Sequence, residues 1–183
     1  DPVRFLSVKY SVCPPLCRRL LGEFGEARSE ALLAASFSHP GLTLRVNTLR
    51  TTREGLTERL NAAGVQTEST LRSRSGLRIP GGAAPLELPG FVEGLFFVQD
   101  EASQLCVEAL DARPGMRVLD TCACPGSKSF GAAIDMSNDG ELVSCDLHAS
   151  KLSLLTSGAA RLGLSILRAE RRMRALGGRA AVL

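Results

Sequence analysis

A short loop between two strand-like segments carries the residues whose types and spacing indicate chemistry. The first segment, residues 117–120, ends at Asp120 and leads into a loop that reads Thr-Cys-Ala-Cys-Pro-Gly-Ser-Lys over residues 121–128. The second segment, residues 142–145, is followed by Asp146. In Rossmann-like folds, small residues at this place let backbone N–H groups approach a ligand, and the second acid accepts hydrogen bonds from ribose hydroxyls. The pattern therefore predicts a pocket for a nucleoside-containing cofactor.

Predicted strands and helices alternate around this loop. In chain order they are a strand at 95–98, a helix from Asp100 through Leu110, a strand at 117–120, a helix at 127–136, a strand at 142–145 and a helix at 150–162. This alternation is typical of a parallel sheet with right-handed crossovers. Beyond Gly163 we recognise no strand pattern.

The first ninety residues show the pattern of a small α+β module. The predicted elements are a helix after Pro14-Pro15 that closes near Gly25, a helix at 29–36, a strand at 44–47, a helix with Thr51 and Glu54 as capping box, and short strands at 65–68 and 77–79. The loop at 80–85, Pro-Gly-Gly-Ala-Ala-Pro, is the best candidate for an internal boundary.

The composition is that of an ordinary globular chain. It has 183 residues, of which 44% are hydrophobic and 22% charged, with a net charge of +3. This fits one domain or two small ones. No run approaches the ~18 apolar residues that span a bilayer, and no signal-peptide pattern is present, so we expect a cytoplasmic protein without membrane partners. Because the chain starts at Asp1, we also expect native sequence upstream.

Arginine is unevenly distributed along the chain. Five arginines and one glutamate lie between residues 168 and 179, and Arg45, Arg50, Arg53 and Arg59 form an earlier series. Such clusters fit contact with nucleic acid, but solvated helix faces produce the same pattern. On charge alone both interpretations stay open.

The six cysteines and two histidines do not form a metal-binding pattern. Cys122 and Cys124 lie in the loop, Cys106 and Cys145 are placed as small core residues, and no second close pair of ligands exists for zinc. We therefore predict reduced thiols and no metal. We also predict a packing role for Cys122 and Cys124.

Four segments together resemble the ribosomal RNA (cytosine-5)-methyltransferase B family, the bacterial members of the RNA 5-methylcytosine methyltransferases. The segments are Ser-Val-Lys-Tyr-Ser at 7–11, Arg-Val-Asn-Thr at 45–48, Val-Gln-Asp-Glu-Ala-Ser at 98–103, and the loop at 120–128. The resemblance covers about residues 5–164. Where the family usually has Ala-Pro-Gly-Gly-Lys, this chain has Cys-Pro-Gly-Ser-Lys at 124–128.

The resemblance implies an α/β fold with two parts. We expect a small α+β RNA-binding region at residues 1–90, followed by a Rossmann-like S-adenosylmethionine-dependent methyltransferase core at 91–164, which would be truncated. Residues 165–183 would then be an atypical basic tail. The implied partner is RNA, and specifically small-subunit ribosomal RNA.

The resemblance also implies which residues hold S-adenosyl-L-methionine. The implied cofactor-binding residues are Asp120, Cys122, Ala123, Cys124, Pro125, Gly126, Ser127, Lys128 and Asp146. Asp146 would bind ribose hydroxyls, and a simple helix cap is its alternative role. Asp120 would either orient the loop or face the methionine end of the cofactor. Lys128 would face the target base, and its alternative is a solvated lysine in a first helical turn.

The family reaction methylates C5 of a cytosine after a cysteine thiolate has added to C6. The family's nucleophile lies in a Thr-Cys segment after a fifth strand, and a helper cysteine lies in an Asp-Ala-Pro-Cys-Ser-Gly segment, neither of which occurs here. We therefore expect no nucleophile and no turnover by this chain alone. We also expect Val118 and Leu119 to form an unpaired strand edge, which would make the chain marginally stable.

Three other functions remain as alternatives. The chain could be a non-catalytic RNA-binding module, or a subunit that completes its sheet with a partner. A nicotinamide-dependent oxidoreductase fits less well, because its loop would read Gly-x-Gly-x-x-Gly instead of the sequence at 122–127.

Overall fold

The computed structural model describes residues 1–38, 41–171 and 181–183. The chain forms two compact units, Asp1–Pro40 and Gly41–Leu183. The helices are α1 (Pro2–Lys9), α2 (Pro14–Ala35), α3 (Arg53–Ala62), α4 (Glu101–Leu110), α5 (Ser127–Asp135) and α6 (Leu152–Leu162). The strands are β1 (Leu42–Val46), β2 (Glu68–Ser69), β3 (Gly76–Ile79), β4 (Phe96–Val98), β5 (Arg117–Asp120), β6 (Glu141–Cys145), β7 (Leu167–Glu170) and β8 (Ala181–Val182). Within the described ranges, none of the helices has the length and apolar character needed to cross a membrane.

The first unit consists of α1 and α2. Its core is formed by Leu6, Tyr10, Cys17 and Leu33. Helix α2 is broken at Gly25, where φ is 72° and ψ is 173°. That left-handed φ is readily adopted by glycine, which has no Cβ to clash. The sequence predicted two helices separated near this residue, and the break lies there.

The second unit begins with an antiparallel sheet in the order β2-β3-β1-β4. Leu44 of β1 pairs with Leu77 on one side and Val98 on the other. Helix α3 contributes Leu56 and Leu60 to the apolar core of this sheet, and both are fully buried. The alternation in β1 thus places one face of the strand against α3.

Two local predictions for this sheet need correction. Thr52, not Thr51, caps α3: its hydroxyl accepts a hydrogen bond from the Gly55 N–H at 3.0 Å, as a cap must reach the first helical turn. The strand predicted at 65–68 is the two-residue β2, which begins only at Glu68, where pairing with Arg78 starts.

The second sheet of this unit is parallel, in the order β7-β6-β5-β8. Helices α5 and α6 pack on it, and its core includes Val118, Leu142, Phe130 and Leu162. A parallel sheet with helices between successive strands is the predicted Rossmann-like α/β arrangement, and the predicted fold class is confirmed.

The structure corrects two expectations about this second sheet. Residues 167–170 form strand β7, although the sequence showed no strand pattern there. The segment is Leu-Arg-Ala-Glu, with two charged residues of four, and its pairing with β6 overrides its weak strand propensity. Val118 and Leu119 do not form an unpaired edge, because they pair with Ala181 and Val182 of β8.

The predicted regions 1–90 and 91–164 do not coincide with the compact units. Strand β4 lies beyond residue 90, yet it completes the first sheet by pairing with β1. Residues 172–180 of the predicted basic tail, with Arg172, Arg174 and Arg179, lie outside the described residues, as does His39.

Buried polar contacts join the two sheets of the second unit. The Asn47 side-chain amide donates to the Gly94 carbonyl at 2.9 Å and to the Leu162 carbonyl at 3.0 Å. The Arg161 guanidinium donates to the Phe96 carbonyl at 3.1 Å and lies 4.0 Å from the centroid of the Phe91 ring. These bonds fix the end of α6 against the first sheet.

Arg45 makes the other major connection between these sheets. Its side chain is 1% exposed, and its Nη2 lies 2.7 Å from Oδ1 of Asp135, the last residue of α5. The guanidinium passes over Gly131, where an added Cβ would lie 2.5 Å from Nη1. Helix α5 therefore lies directly under a charged side chain from β1.

Candidate functional site

Two acids lie at the same edge of the parallel sheet. Asp120 is the last residue of β5, and Asp146 directly follows the neighbouring strand β6. The strands are parallel and Asp120 pairs with Ser144, so both acids lie at the carboxyl ends of the strands. Open α/β sheets bind their ligands in the crevice outside this edge.

Asp146 connects the loop at 121–128 to the second strand. Its Oδ2 accepts a hydrogen bond from the Cys124 N–H at 3.3 Å, and its Oδ1 accepts one from the His148 N–H at 2.9 Å. The backbone N–H of His148, followed by that of Cys124, holds the pKa of Asp146 below its ordinary value. A carboxylate has about four lone-pair sites, so about two remain for a ligand.

Asp120 is buried and holds the loop from below. Its side chain accepts hydrogen bonds from the Ser129 hydroxyl at 2.7 Å and from the Cys122 N–H at 3.2 Å. Ser144 donates in turn to the Ser129 hydroxyl at 2.9 Å. Burial raises the pKa of Asp120, partly offset by these hydrogen bonds. Of the two roles predicted for Asp120, these contacts support orientation of the loop.

Gly126 makes the sharp turn from the loop into α5. Its φ is +115°, and an added Cβ would lie 2.4 Å from Cζ of Phe130 and 2.9 Å from Cδ2 of Leu155. A side chain is therefore excluded both by the backbone conformation and by the packing. Because Gly126 has no side chain, the N-terminus of α5 is not covered at this position. Backbone N–H groups at a helix N-terminus favour an anionic group such as a carboxylate.

The two loop cysteines have different surroundings. Cys122 is exposed, whereas Cys124 is partly buried with its Sγ 3.4 Å from the Lys151 carbonyl oxygen. Burial, together with the nearby Asp146 carboxylate, raises the pKa of Cys124 to about 11. Cys124 is therefore a neutral thiol at physiological pH, which suits packing and not nucleophilic attack.

The other predicted loop residues also lie together at this edge. The Ala123 N–H donates to the Cys145 carbonyl at 2.9 Å, and Pro125 is exposed next to it. Ser127 begins α5, and its carbonyl accepts a hydrogen bond from the Gln99 side-chain amide at 3.1 Å. Lys128 is exposed in the first turn of α5, close enough that its charge lowers the pKa of Asp120.

The sequence prediction did not include Gln99, Ser129, Ser144 or Glu170 among the site residues. Gln99 is 2% exposed and supports Ser127 from the first sheet, a contact between residues 28 positions apart. The two serines are fully buried and act through Asp120. Glu170 ends β7 and its carbonyl accepts from the Asp146 N–H at 3.1 Å. Two of them had a sequence signal: Gln99 lies in the segment at 98–103 that carries the resemblance, and Glu170 is an acid at the end of a strand that was not recognised.

Across residues 1–38, 41–171 and 181–183, no three His, Cys, Asp or Glu side chains are grouped as a metal site would require. The residues at the sheet edge fit a nucleoside cofactor instead. Asp146 is an ionised acceptor with unused lone pairs. Gly126 has no side chain that would keep a ligand away from the backbone N–H groups of the loop. Together with the parallel sheet, these features define the class: a Rossmann-like fold suited to a nucleoside cofactor, beside an antiparallel sheet.

Comparison with known proteins places this class in a family. Residues 16–84 match the model described as "Methyltr_RsmF/B-like, ferredoxin-like domain". The chain is 34% identical over 177 residues to the probable ribosomal RNA small subunit methyltransferase B of Bacillus subtilis, covering 93% of this chain and 38% of that protein. It is 37% identical over 135 residues to ribosomal RNA small subunit methyltransferase B of Pseudomonas syringae pv. tomato, covering 74% of this chain and 30% of that protein. Over most of its own length, the chain is similar to the ribosomal RNA small subunit methyltransferase B family.

Solved structures share this fold. A methyltransferase homolog protein from Pyrococcus horikoshii superimposes with a TM-score of 0.83 at 26% identity, covering 93% of this chain and 56% of that one. NSun6 from Pyrococcus horikoshii, solved with SFG, shares the fold with a TM-score of 0.78 at 16% identity, covering 85% and 64%. The chain spans less than two-fifths of the curated relatives it matches. S-adenosyl-L-methionine is the cofactor of this class of methyltransferases.

Proposed function

We propose that the edge formed by Asp120, Asp146 and the loop at 121–128 holds S-adenosyl-L-methionine, in a protein that methylates RNA. The observation that carries the proposal is the position of Asp146. Its two oxygens each accept one backbone N–H, which ties the loop to the second strand, and the carboxyl of this 8% exposed residue keeps acceptor capacity beyond these two bonds. A ribose presents two hydroxyl donors, which match the remaining lone pairs.

Each residue of the edge has a distinct part in this proposal. Asp146 accepts the ribose hydroxyls, and the backbone of residues 122–126 lines the methionine portion near the N-terminus of α5. Asp120 and Ser129 hold the loop from below, and Lys128 extends from the first turn of α5 towards the substrate. When bound, the cofactor supplies a methyl group on a positively charged sulfur. The neutral thiol of Cys124 packs beside Asp146 and takes no part in the transfer.

For the substrate, we propose small-subunit ribosomal RNA, and for the reaction, methylation of cytosine C5. The names of the relatives support the ribosomal RNA, and the segments at 45–48, 98–103 and 120–128 support the C5 chemistry through their resemblance to that family. Cytosine C5 is a weak nucleophile, so transfer to it needs a cysteine that adds to C6. Neither loop cysteine is assigned that role.

Calorimetric titration of the chain with S-adenosyl-L-methionine tests the cofactor site. We expect binding that Asp146→Asn weakens by about tenfold or more, since hydrogen bonds to a charged group are lost. Asp139→Asn is the matched control, because Asp139 is exposed in the turn before β6, at the other end of the strand. Unchanged affinity in Asp146→Asn, or no binding by the wild type, would refute the site.

The substrate is tested separately in cells. Nucleosides from small-subunit ribosomal RNA are compared by mass spectrometry with and without the gene. We expect one 5-methylcytidine to disappear on deletion and to return on complementation. Loss of a different methylated nucleoside would retain the methyltransferase assignment and refute the cytosine C5 assignment.

A further inference from the structure

A loop of the first sheet carries two exposed arginines on a fixed backbone. We define the arginine loop as residues 72–75, which read Arg-Ser-Arg-Ser between β2 and β3. Arg72 and Arg74 are exposed, while Ser73 between them is 2% exposed. The alternation places both guanidinium groups at the surface and the serine inside.

Three side chains of α4 hold this loop in place. Glu101 accepts the Arg72 N–H at 2.5 Å and the Ser73 N–H at 3.0 Å, and Glu108 accepts the Arg74 N–H at 3.3 Å. The Ser73 hydroxyl lies 2.7 Å from both Gln104 Oε1 and Glu108 Oε1. The backbone N–H groups of Arg72 and Ser73 are the main cause that lowers the pKa of Glu101.

The carboxylates of Glu101 and Glu108 therefore accept hydrogen bonds from the backbone of the arginine loop and not from its guanidinium groups. Among the described residues, neither Arg72 nor Arg74 is within salt-bridge distance of a carboxylate, although the Arg72 charge acts to lower the pKa of Glu101 and the Arg74 charge that of Asp135. Exposed arginines elsewhere in this chain commonly form ion pairs, as Arg59 does with Glu93 and Arg113 with Asp111. Because the backbone beneath these two cations is already fixed, less loop entropy is lost when an anion binds.

Cavities on either side of Arg74 differ in charge. One, of about 310 Å³, is lined by three threonines, a serine, two arginines and one glutamate: Thr48, Thr51, Thr52, Ser75, Arg53, Arg74 and Glu54. The other, of about 250 Å³, contains Arg45 and Arg74 but also Glu108, Asp111 and Asp135. The first is cationic and rich in hydroxyls, and the second has more acids than bases. An anionic ligand would thus extend from Arg74 into the first cavity, which we call the threonine groove.

We propose that the arginine loop and the threonine groove bind the phosphates of an RNA strand. Arginine and threonine side chains are typical donors to phosphate oxygens, and such contacts position a strand without reading its sequence. The groove has no aromatic lining residue on which a base could stack. The proposal rests on the RNA substrate proposed above and names where this chain holds it.

The surface is separate from the cofactor loop. Arg74 shares its acidic cavity with Asp135, at the end of α5, whereas the cofactor loop leads into the start of α5 at Ser127. Eight residue steps of α-helix span about 12 Å. Substitutions at the arginine loop should therefore leave cofactor binding intact, which separates a failure of this proposal from a failure of the proposed cofactor site.

The test is fluorescence anisotropy with the full chain and a labelled single-stranded RNA of about 20 nucleotides, longer than the roughly 4–16 nucleotides that one single-strand-binding fold covers. We expect Arg72→Gln/Arg74→Gln to weaken binding on the order of tenfold at low salt. The slope of log affinity against log salt should fall by about 0.7 for each lost phosphate contact. Arg117→Gln removes one positive charge at the start of β5, from a residue paired with Glu141, and serves as the control for each single substitution, Arg72→Gln and Arg74→Gln.

A second pair of variants tests whether removing a negative charge from the threonine groove raises the affinity for RNA. Glu54→Gln removes the only acid of the threonine groove and should tighten RNA binding, whereas Glu58→Gln, one turn further along α3, should have a smaller effect. Equal losses in the two single arginine-loop variants and Arg117→Gln would overturn the proposal, as would absence of RNA binding by the wild type. Parallel titration with S-adenosyl-L-methionine should give the same affinity for all these variants.

Discussion

Arg45 of β1 and Asp135 of α5 form an ion pair of 2.7 Å that connects the antiparallel sheet to the parallel one. The Arg45 side chain is 1% exposed and that of Asp135 29% exposed. Burial raises the pKa of Asp135, and the Arg45 charge acts against that rise. Nε and Nη1 of Arg45 are buried and have no hydrogen-bond partner among the described residues. The pair thus fixes β1 against α5, although burying the Arg45 charge carries a considerable desolvation cost.

Breaking this pair on one side should be worse than replacing both partners. We expect Arg45→Met to lower the free energy of unfolding by about 3 kcal/mol, at the low end for a buried pair because Asp135 is partly solvated. Arg45→Met/Asp135→Leu should recover much of that loss, since no buried charge is then left unpaired. Urea denaturation of the single and double variants measures both values. A double variant less stable than Arg45→Met would contradict this account.

Gly126 should be far less tolerant of alanine than a glycine with open surroundings. Gly115 also has a positive φ, +79°, but an added Cβ there would meet nothing within 4 Å. Gly115→Ala should therefore cost only about 1–2 kcal/mol for the left-handed backbone. Gly126→Ala must in addition displace Phe130 and Leu155, which adds about 1–3 kcal/mol. Thermal unfolding compares the two, and only Gly126→Ala should reduce binding of S-adenosyl-L-methionine.

Stability should depend on pH through Asp120. Its pKa is raised by burial above the ordinary 3.8, so its contribution to stability is complete below that pH and is lost as pH rises through the folded value. Asp120→Asn cannot ionise, so as the pH rises above 3.8 it should lose less stability than the wild type. Ser129→Ala removes a hydrogen bond that lowers the pKa, and should move the wild-type loss to higher pH. Urea denaturation at several pH values measures these differences, and parallel curves for wild type and Asp120→Asn would refute the assignment.

Gln99 should influence the cofactor site although it lies outside the loop at 121–128, between β4 and α4 in the sequence. Gln99→Met removes the hydrogen bond to the Ser127 carbonyl, and we expect S-adenosyl-L-methionine to bind about threefold to tenfold more weakly, as for one neutral hydrogen bond. Gln104→Met is the matched control. Gln104 is also buried, and its amide donates to the Leu44 and Gln99 carbonyls, but it does not contact the loop at 121–128. Equal weakening in both variants would indicate general destabilisation and not support of Ser127.

The cofactor edge was predictable because its signals are local in sequence. Asp120, the loop and Asp146 follow strands within one stretch of the chain, and parallel pairing brings them together by a general rule of the fold. Their supports were not predictable in the same way. Gln99 reaches Ser127 only because β4 joins the first sheet, and nothing in its immediate neighbours indicates that pairing.

The missed strands have a similar explanation. β7 contains Arg168 and Glu170, whose side chains form an ion pair at 3.0 Å along the strand, and an isolated segment of this composition has little strand propensity. Its backbone pairs with β6 from Leu167 through Glu170. Whether β7 forms therefore depends on β6, and the sequence of residues 167–170 alone carries no information about that partner strand.

The clearance between Arg45 and Gly131 limits the order in which substitutions can accumulate. A Cβ at position 131 would lie 2.5 Å from Nη1 and 3.0 Å from Cζ of a guanidinium that is buried and held by Asp135. Any larger residue at position 131 therefore requires that position 45 first lose its guanidinium, while the reverse order passes through a strained intermediate. In a library that randomises both positions, functional sequences should pair a large residue at one with a small residue at the other, so that the two codons vary as a unit.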